Sequence, residues 1–232
     1  MDRRLFVATV ATGAVGSTAG CLDVFDDPTE FSASPAIVAP EQVDAAGYEY
    51  QGTEETVETE TVPSTDATVE ITNYSSEYTR TIEIPLDIVD VEGVDTGVFG
   101  IITTPQVSVA GEEYNPVGDM SNAEIAETIQ DQYEELDIGD SVDERTTDGL
   151  GETIAVETFE AEATVEGQVG IDVVLDIAQL DYDSDHLVIV AIYPDVEGLS
   201  ITDEEARVDT MIGGLVHGDD VDAEIESAEG SG

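Results

Sequence analysis

Asp181, Asp183 and Asp185 lie at alternate positions, the spacing with which a calcium-binding loop begins. Oxygen ligands at the first, third and fifth positions of an EF-hand loop surround the ion, and the loop also needs glycine at the sixth position and a bidentate glutamate at the twelfth. This chain has His186 and Ile192 at those two places. The sequence therefore favours a solvated acidic turn over a calcium site, and it predicts no metal ligands and no cofactor.

The two histidines, His186 and His217, could act in acid–base catalysis or bind a metal. His186 begins an apolar run and His217 ends a predicted helix, so core and capping roles are favoured. A serine nucleophile would need a histidine beside it in a suitable turn, and the sequence has no Gly-x-Ser-x-Gly elbow. Carboxylates are so numerous that their spacing singles out no acid–base pair, and no catalytic residue is predicted.

Cys21 is the single cysteine of the chain, so it has no partner for an internal disulfide. It follows Thr18-Ala19-Gly20, and small residues before a cysteine resemble a lipobox, in which the leader is cut and the thiol takes a lipid. Two lipid chains hold a protein firmly at a membrane, whereas one holds it only marginally. The sequence predicts a lipid anchor at Cys21. The alternative is an ordinary cysteine of a leader.

Residues 1–20 have the pattern of an export signal. Arg3 and Arg4 precede an apolar stretch, residues 5–19, which is too short to span a bilayer and suits a signal peptide. The form Arg-Arg-x-Phe resembles the twin-arginine signal, whose pathway exports folded proteins. Residues 21–30 are predicted to be an acidic tether, so the domain that follows is expected on the outer face of the cell membrane.

The charge of the chain is extreme. Asp and Glu total 55 against five basic residues, giving a formal net charge of −50, and all five basic residues are arginine. Apolar residues still make up 41% of the chain, so a core is expected where salt screens the repulsion. A surface of carboxylates without lysine is typical of an extreme halophile. Nucleic acid is excluded as a partner because phosphate binding needs clustered Lys or Arg.

Alternating apolar and polar residues predict the strands. They indicate a long hairpin over residues 48–62 and 67–84, a buried strand over residues 98–104, and three later strands over residues 153–165, 168–177 and 186–193. Residues 35–46 predict a first helix.

Two further helices are predicted from capping signals. Ser121 and Glu124 form a capping box before a helix of about 14 residues, and Thr202 with Glu205 begins a last helix that Gly218 ends. Strands in runs with helices between the runs point to a single α+β domain over residues 31–217, with a largely antiparallel sheet covered by helices. Parallel βαβ winding is the weaker alternative, and residues 218–232 are predicted to be a disordered acidic tail.

Three segments resemble a family of haloarchaeal surface lipoproteins of unknown function: Thr-Thr-Pro-Gln-Val at residues 103–107, Asn-Pro-Val-Gly-Asp-Met-Ser at residues 115–121, and Tyr193-Pro194. The resemblance covers roughly residues 31–217 and implies a location but no activity. The order of elements also resembles PsbP-like domains, lipoprotein or lumenal modules that bind partners, as a fold-level analogy.

The sequence also contains two candidate surface sites, a sequon and a loop. Asn73-Tyr74-Ser75 is a possible glycosylation sequon in a strand pattern. The loop with Asn115, Pro116, Gly118 and Asp119 is a possible recognition surface, although a structured start for the capped helix is favoured.

The sequence thus favours a noncatalytic, lipid-anchored extracellular domain of a halophilic archaeon that binds a partner protein, an envelope component or a solute. The alternative is a hydrolase that uses carboxylates, with or without a bound cation. A solute-binding lipoprotein of a transporter is a third possibility, but such proteins are usually larger and two-lobed.

Overall fold

The computed structural model describes residues 29–62, 67–82, 95–109, 112–114, 117–132, 136–165 and 169–227. In that part of the chain, the helices are α1 (Pro40–Ala46), α2 (Asn122–Gln132) and α3 (Ile201–Gly213). The strands are β1 (Thr29–Ser32), β2 (Ala36–Val38), β3 (Glu49–Val62), β4 (Ala67–Thr81), β5 (Asp95–Pro105), β6 (Val107–Val109), β7 (Glu112–Tyr114), β8 (Leu136–Gly149), β9 (Glu152–Val165), β10 (Val169–Tyr182), β11 (Asp185–Pro194), β12 (Leu215–His217) and β13 (Ile225–Ser227).

Nine strands form one open, mixed sheet in the order β13-β3-β4-β5-β11-β10-β9-β8, with β1 beside β4. Neighbouring strands are antiparallel except for β1 with β4 and β13 with β3, which are parallel. Two strands pair with the same edge of β4: β5 pairs with residues 74–81, and β1 pairs with residues 69–72. The prediction of a largely antiparallel sheet with helices is confirmed.

The central strands have both faces covered. Along β10, Val174, Ala178 and Leu180 belong to a core that includes α1 and α3, whereas Leu175 and Ile177 belong to a core that includes α2. Since successive side chains of a strand point to opposite faces, α1 and α3 cover one face of the sheet and α2 covers the other. This explains why β10 and β11 read as nearly continuous apolar runs, as doubly covered strands do.

The first helix begins later than its sequence indicates. Residues 36–38 form β2, which pairs with β12 beside α1, and the helix starts at Pro40. Proline fits the first helical position because its missing N–H would have no partner there. The predicted end is confirmed, since Gly47 adopts a left-handed conformation with φ of 77° after the last helical residue.

The last helix also differs from the prediction at both ends. Ser200, and not Thr202, caps it by accepting a hydrogen bond from the backbone N–H of Asp203. The helix ends at Gly213, and residues 215–217 form β12. Gly214 stands where an added Cβ would lie 2.5 Å from the Cβ of Gln42, so the chain needs glycine there to leave the helix against α1.

Strands β1, β7, β8 and β13 lie in segments for which the sequence predicted no strand. The edge strand β8 follows α2 and pairs with β9. Strand β1 starts at Thr29, inside the predicted tether. Residues 225–227, in the predicted disordered tail, pair with β3 as β13. Strand β1 thus begins before residue 31, and β13 lies after residue 217.

Candidate functional site

Arg145 on β8 is the centre of a polar network between the sheet and α3. Its Nη1 and Nη2 donate to the two carboxylate oxygens of Asp176 at 3.0 and 2.7 Å, and its Nε donates to Asp209 at 3.2 Å. Thr158 Oγ1 and Tyr193 Oη also donate to the Asp176 carboxylate, at 2.7 and 3.0 Å. Asp176 is only 2% exposed, so its burial is compensated by an arginine and two hydroxyls.

The protonation states in this network follow from its contacts. Burial by itself lowers the pKa of the Arg145 guanidinium, but the hydrogen bonds and charge of Asp176 raise that pKa above its ordinary value. Burial, reinforced by the Asp176 carboxylate, raises the pKa of the Tyr193 phenol. Arg145 therefore stays charged and Tyr193 stays neutral, which suits a structural bridge better than a proton-transfer site.

The other two arginines among the described residues, Arg80 and Arg207, also form their contacts on the α3 side of the sheet. Arg80 on β4 donates to the Glu204 carboxylate on α3, and Glu204 is 4% exposed. The Arg207 guanidinium lies 3.6 Å from Glu204 and donates to the backbone oxygen of Ala46 at 3.0 Å. The sequence has no lysine, and the guanidinium groups of all three described arginines thus form their contacts on the α3 side.

The three aspartates of the calcium-like pattern do not converge. Asp181 lies 2.7 Å from the Nδ1 of His186, Asp183 occupies the β10–β11 turn with φ of 54°, and Asp185 points inward. Asp185 accepts hydrogen bonds from the backbone N–H of Ser34 and from His217 Nε2, at 2.7 and 2.9 Å. Among the described residues, no group of three His, Cys, Asp or Glu side chains has the arrangement of a metal site.

His186 belongs to a chain of hydrogen bonds that positions the start of α2. Its Nε2 lies 3.0 Å from Gln179 Oε1, and Gln179 Nε2 donates to the carbonyl of Met120 and to Asn122 Oδ1. At the helix start, Ser121 and Glu124 exchange hydrogen bonds as a capping box, which confirms that prediction. The central sheet thus holds one end of α2 in place.

An apolar groove lies on the α2 face of the sheet, beside that helix. Its lining includes Val98, Gly100 and Ile102 of β5, Ile129 of α2, and Val190 and Ile192 of β11, and its volume is about 450 Å³. Helix α2 packs mainly against β8 and β10. The groove lies beside it, over residues of β5 and β11 that are half-buried, as Val98 and Val190 are, or exposed, as Ile102 is. A Cβ added at Gly100 would have no atom within 4 Å, which makes this glycine part of the open floor.

A small acidic recess adjoins the groove. Glu54, Glu77 and Glu226 line it, with a volume of about 210 Å³, and Ser75 and Glu77 line both the recess and the groove. The two cavities therefore form one depression with an apolar part and an acidic part.

A separate acidic pocket of about 700 Å³ lies on the α3 side, between β8, β9, β10 and the start of α3. Seven of its fourteen lining residues are Asp or Glu, and Glu205 and Thr158 connect it to the network of Arg145. Burial raises the pKa of the Glu205 carboxyl against the opposing influence of Arg145, and the nearby carboxylates raise it further. The environment of Glu205 therefore shifts its carboxyl group toward the neutral form.

Asn73, Gly118 and Asp119, which the sequence singled out as surface residues, do not line these cavities. Asn73 stands within β4, and its side-chain amide donates to Glu58 at 3.4 Å. Gly118 and Asp119 are exposed in the turn before α2. Asn115 and Pro116 lie outside the described residues, as do Arg3, Arg4 and Cys21.

A family model described as Domain of unknown function (DUF6517) matches residues 35–216, which include the whole apolar groove and the network of Arg145. The chain belongs to this family. The DUF6517 match begins just before β2 and ends within β12, so β1 and β13 lie outside it. A comparison with curated proteins finds no match. None of the described helices has the length and apolar character needed to cross a bilayer.

The groove residues and the Arg145 network were not found from the sequence. Asp176 carried a signal, since a lone carboxylate within the apolar run of β10 implies a buried partner. The sequence gives no signal that Gly100 and Glu77 belong to a site, because their proximity depends on the register between β4 and β5.

Proposed function

We propose that this protein is a noncatalytic binding domain, anchored by a lipid on Cys21 to the outer face of a cell membrane. The observation that carries the binding role is the apolar groove between α2 and the uncovered part of the sheet. Ligand sites are typically concave and mostly apolar, with volumes of about 300–1,000 Å³. On a chain with a net charge of −50, an apolar depression of this kind favours a ligand or partner site.

The noncatalytic part of the proposal rests on how the buried carboxylates are used. Asp176 and Glu204 are paired with arginines, and Asp185 is paired with His217. Each contact gives a buried carboxylate a hydrogen-bond partner and connects two elements of the fold, which is a structural task.

The groove is tested with a neutral apolar probe. Nile red should bind the mature domain in molar salt with saturable, single-site fluorescence enhancement. Gly100→Phe, which fills the groove from a position with open space, should abolish that binding. Val142→Phe, which adds the same ring in the acidic pocket, should leave it unchanged. Binding that survives Gly100→Phe or is lost in Val142→Phe would place the site elsewhere.

The anchoring part of the proposal is supported by Arg3, Arg4, the short apolar stretch and the small residues before Cys21. With it we propose a haloarchaeal source and a PsbP-like sandwich as a fold analogy. In a halophilic host, Cys21→Ser should move the protein from the membrane fraction to the medium or the soluble fraction. Retention of the variant in the membrane fraction would contradict the lipid anchor.

A second candidate function is a carboxylate-based or cation-assisted hydrolase in the acidic pocket. The observation that favours it is Glu205, a partly buried carboxyl group with a raised pKa in a cleft, as a general acid requires. Chromogenic esters, phosphates and glycosides would be screened with the purified domain. Turnover that disappears in Glu205→Gln would establish this function, and no turnover would remove it.

A further inference from the structure

The register of the sheet places one carboxylate at the edge of the apolar groove. Gly52, Glu77, Gly100 and Val190 are aligned across β3, β4, β5 and β11. Directly paired residues project from the same face, so Glu77 stands on the α2 face between two positions without side chains. With strands about 4.8 Å apart, Val190 lies about 10 Å from Glu77 across the open floor at Gly100.

The next aligned row supplies further acid on the same side. Glu226, Glu54, Ser75 and Ile102 follow one another across β13, β3, β4 and β5. The depression therefore changes from apolar at β5 and β11 to acidic at β3 and β13. Among the described residues lining the apolar groove, Glu77 is the one with a charge.

No described cation compensates this acidic end. The guanidinium groups of Arg80, Arg145 and Arg207 are bound to carboxylates on the α3 side, on the opposite face of the sheet. An anionic ligand would meet uncompensated repulsion in the depression. A second copy of the chain seated here would bring its own strongly acidic surface, with the formal charge of −50, against the same carboxylates.

We infer that the groove binds a small amphiphile with an apolar body and a cationic head, an ammonium or guanidinium group that meets Glu77. This inference rests on the proposed binding role of the groove and names the chemical class of its ligand. The apolar body lies over Gly100 against Val190, Ile192 and Ile129, while the head points toward Glu54 and Glu226. The glycines at positions 52 and 100 leave room on both sides of the Glu77 carboxylate.

The test compares three amphiphiles of equal chain length, dodecylamine, dodecanol and dodecanoate, below their aggregation concentrations at pH 7. Each displaces Nile red from the mature domain. Dodecylamine should bind about fivefold tighter than dodecanol, the ratio expected of one ion pair near water. Dodecanoate should bind weakest. Added salt should reduce the preference for the amine without weakening the alcohol.

Glu77→Gln should bring the amine close to the alcohol and leave the alcohol unchanged. Glu41→Gln is the matched control, since it removes one exposed carboxylate from α1 on the other face and should preserve the preference. An equal loss in both variants would indicate general attraction to an acidic protein and would overturn the inference.

The remaining outcomes separate this inference from the proposed function. If dodecanol displaced Nile red as strongly as dodecylamine does, the inference of a cationic head group would be overturned. The proposed binding role of the groove would stand. Absence of Nile red binding to the wild-type domain would overturn the binding role itself. A doubled mass in sedimentation that ligand returns to the monomer would identify a second copy as the occupant, against the inference.

Discussion

Arg145 holds together four elements of the fold through few atoms. Its side chain extends from β8, meets Asp176 on β10 and Asp209 on α3, and donates to Thr158 on β9. The chain keeps very few cations, and this one neutralises a carboxylate in the interior. Its contribution is best measured as the cost of leaving the Asp176 carboxylate buried without a cation beside it.

Arg145→Met should destabilise the domain by about 3–5 kcal/mol, the usual cost of removing one partner of a buried ion pair. The double variant Arg145→Met with Asp176→Leu should be considerably less destabilised than the sum of the two single variants, because no unpaired charge remains. Denaturant unfolding in molar salt measures both. Additive effects in the two single variants would contradict a direct coupling.

The raised pKa of Glu205 predicts how the stability of the domain depends on pH. Because burial raises the pKa of its carboxyl in the folded state, the folded protein binds this proton more tightly than the unfolded chain does. Glu205 therefore lowers stability as pH rises above the ordinary carboxyl pKa of about 4.3, and the full loss is present above the raised value. Glu205→Gln should raise Tm at pH 7 and change little below pH 4. An unchanged Tm difference across this range would contradict the assignment.

At the scale of elements, the α3–β8 contact depends on glycine. A Cβ at Gly149 would lie 2.7 Å from the backbone oxygen of Ile212 and 3.0 Å from its Cγ2. Gly149→Ala should cost about 1–3 kcal/mol, as overpacking of a core does.

Gly100→Ala is the matched control for that variant, because its added Cβ meets open space in a strand with ordinary φ. It should be neutral or stabilise the domain by up to about 1 kcal/mol. Thermal unfolding of both variants in the same buffer decides between these outcomes. Equal destabilisation would mean that the space above Gly100 is not open in solution.

How far the sequence predicts the elements depends on how local their signals are. The β3–β4 hairpin and the capping box of α2 rest on alternation and on side chains three residues apart, and both are confirmed. Strand β8 has only two buried residues, Leu136 and Gly149, so it shows almost no apolar alternation. Strand β13 forms because β3 offers an edge, which is information from elsewhere in the chain.

The candidate site follows the same rule. The sequence indicates core positions for the apolar groove residues Val98, Ile102, Val190 and Ile192. An apolar run does not reveal that a helix covers only part of that face of the sheet. The groove exists because α2 packs mainly against β8 and β10, beside the half-buried and exposed apolar residues of β5 and β11. That placement is set by the contacts of Gln179 with Met120 and Asn122, which join residues 57 to 59 positions apart.

At the scale of the whole molecule, charge governs stability. A net charge of −50 opposes compaction, and the screening length falls from about 10 Å at 0.1 M salt to about 3 Å at 1 M. The Tm of the domain should rise steeply over this range of sodium chloride. Sucrose at matched osmolality should raise it much less, because sucrose does not screen charge. A Tm independent of salt would contradict this account.

The claim that the α2 face carries the binding site is tested most directly by mapping a bound probe on the isotope-labelled mature domain. Amide chemical-shift changes on adding dodecylamine should be concentrated at Val98, Gly100, Ile102, Val190 and Glu77. Residues of the acidic pocket, such as Val142 and Glu205, should remain unchanged. Shifts concentrated at the acidic pocket, or absent throughout the sheet, would contradict the account.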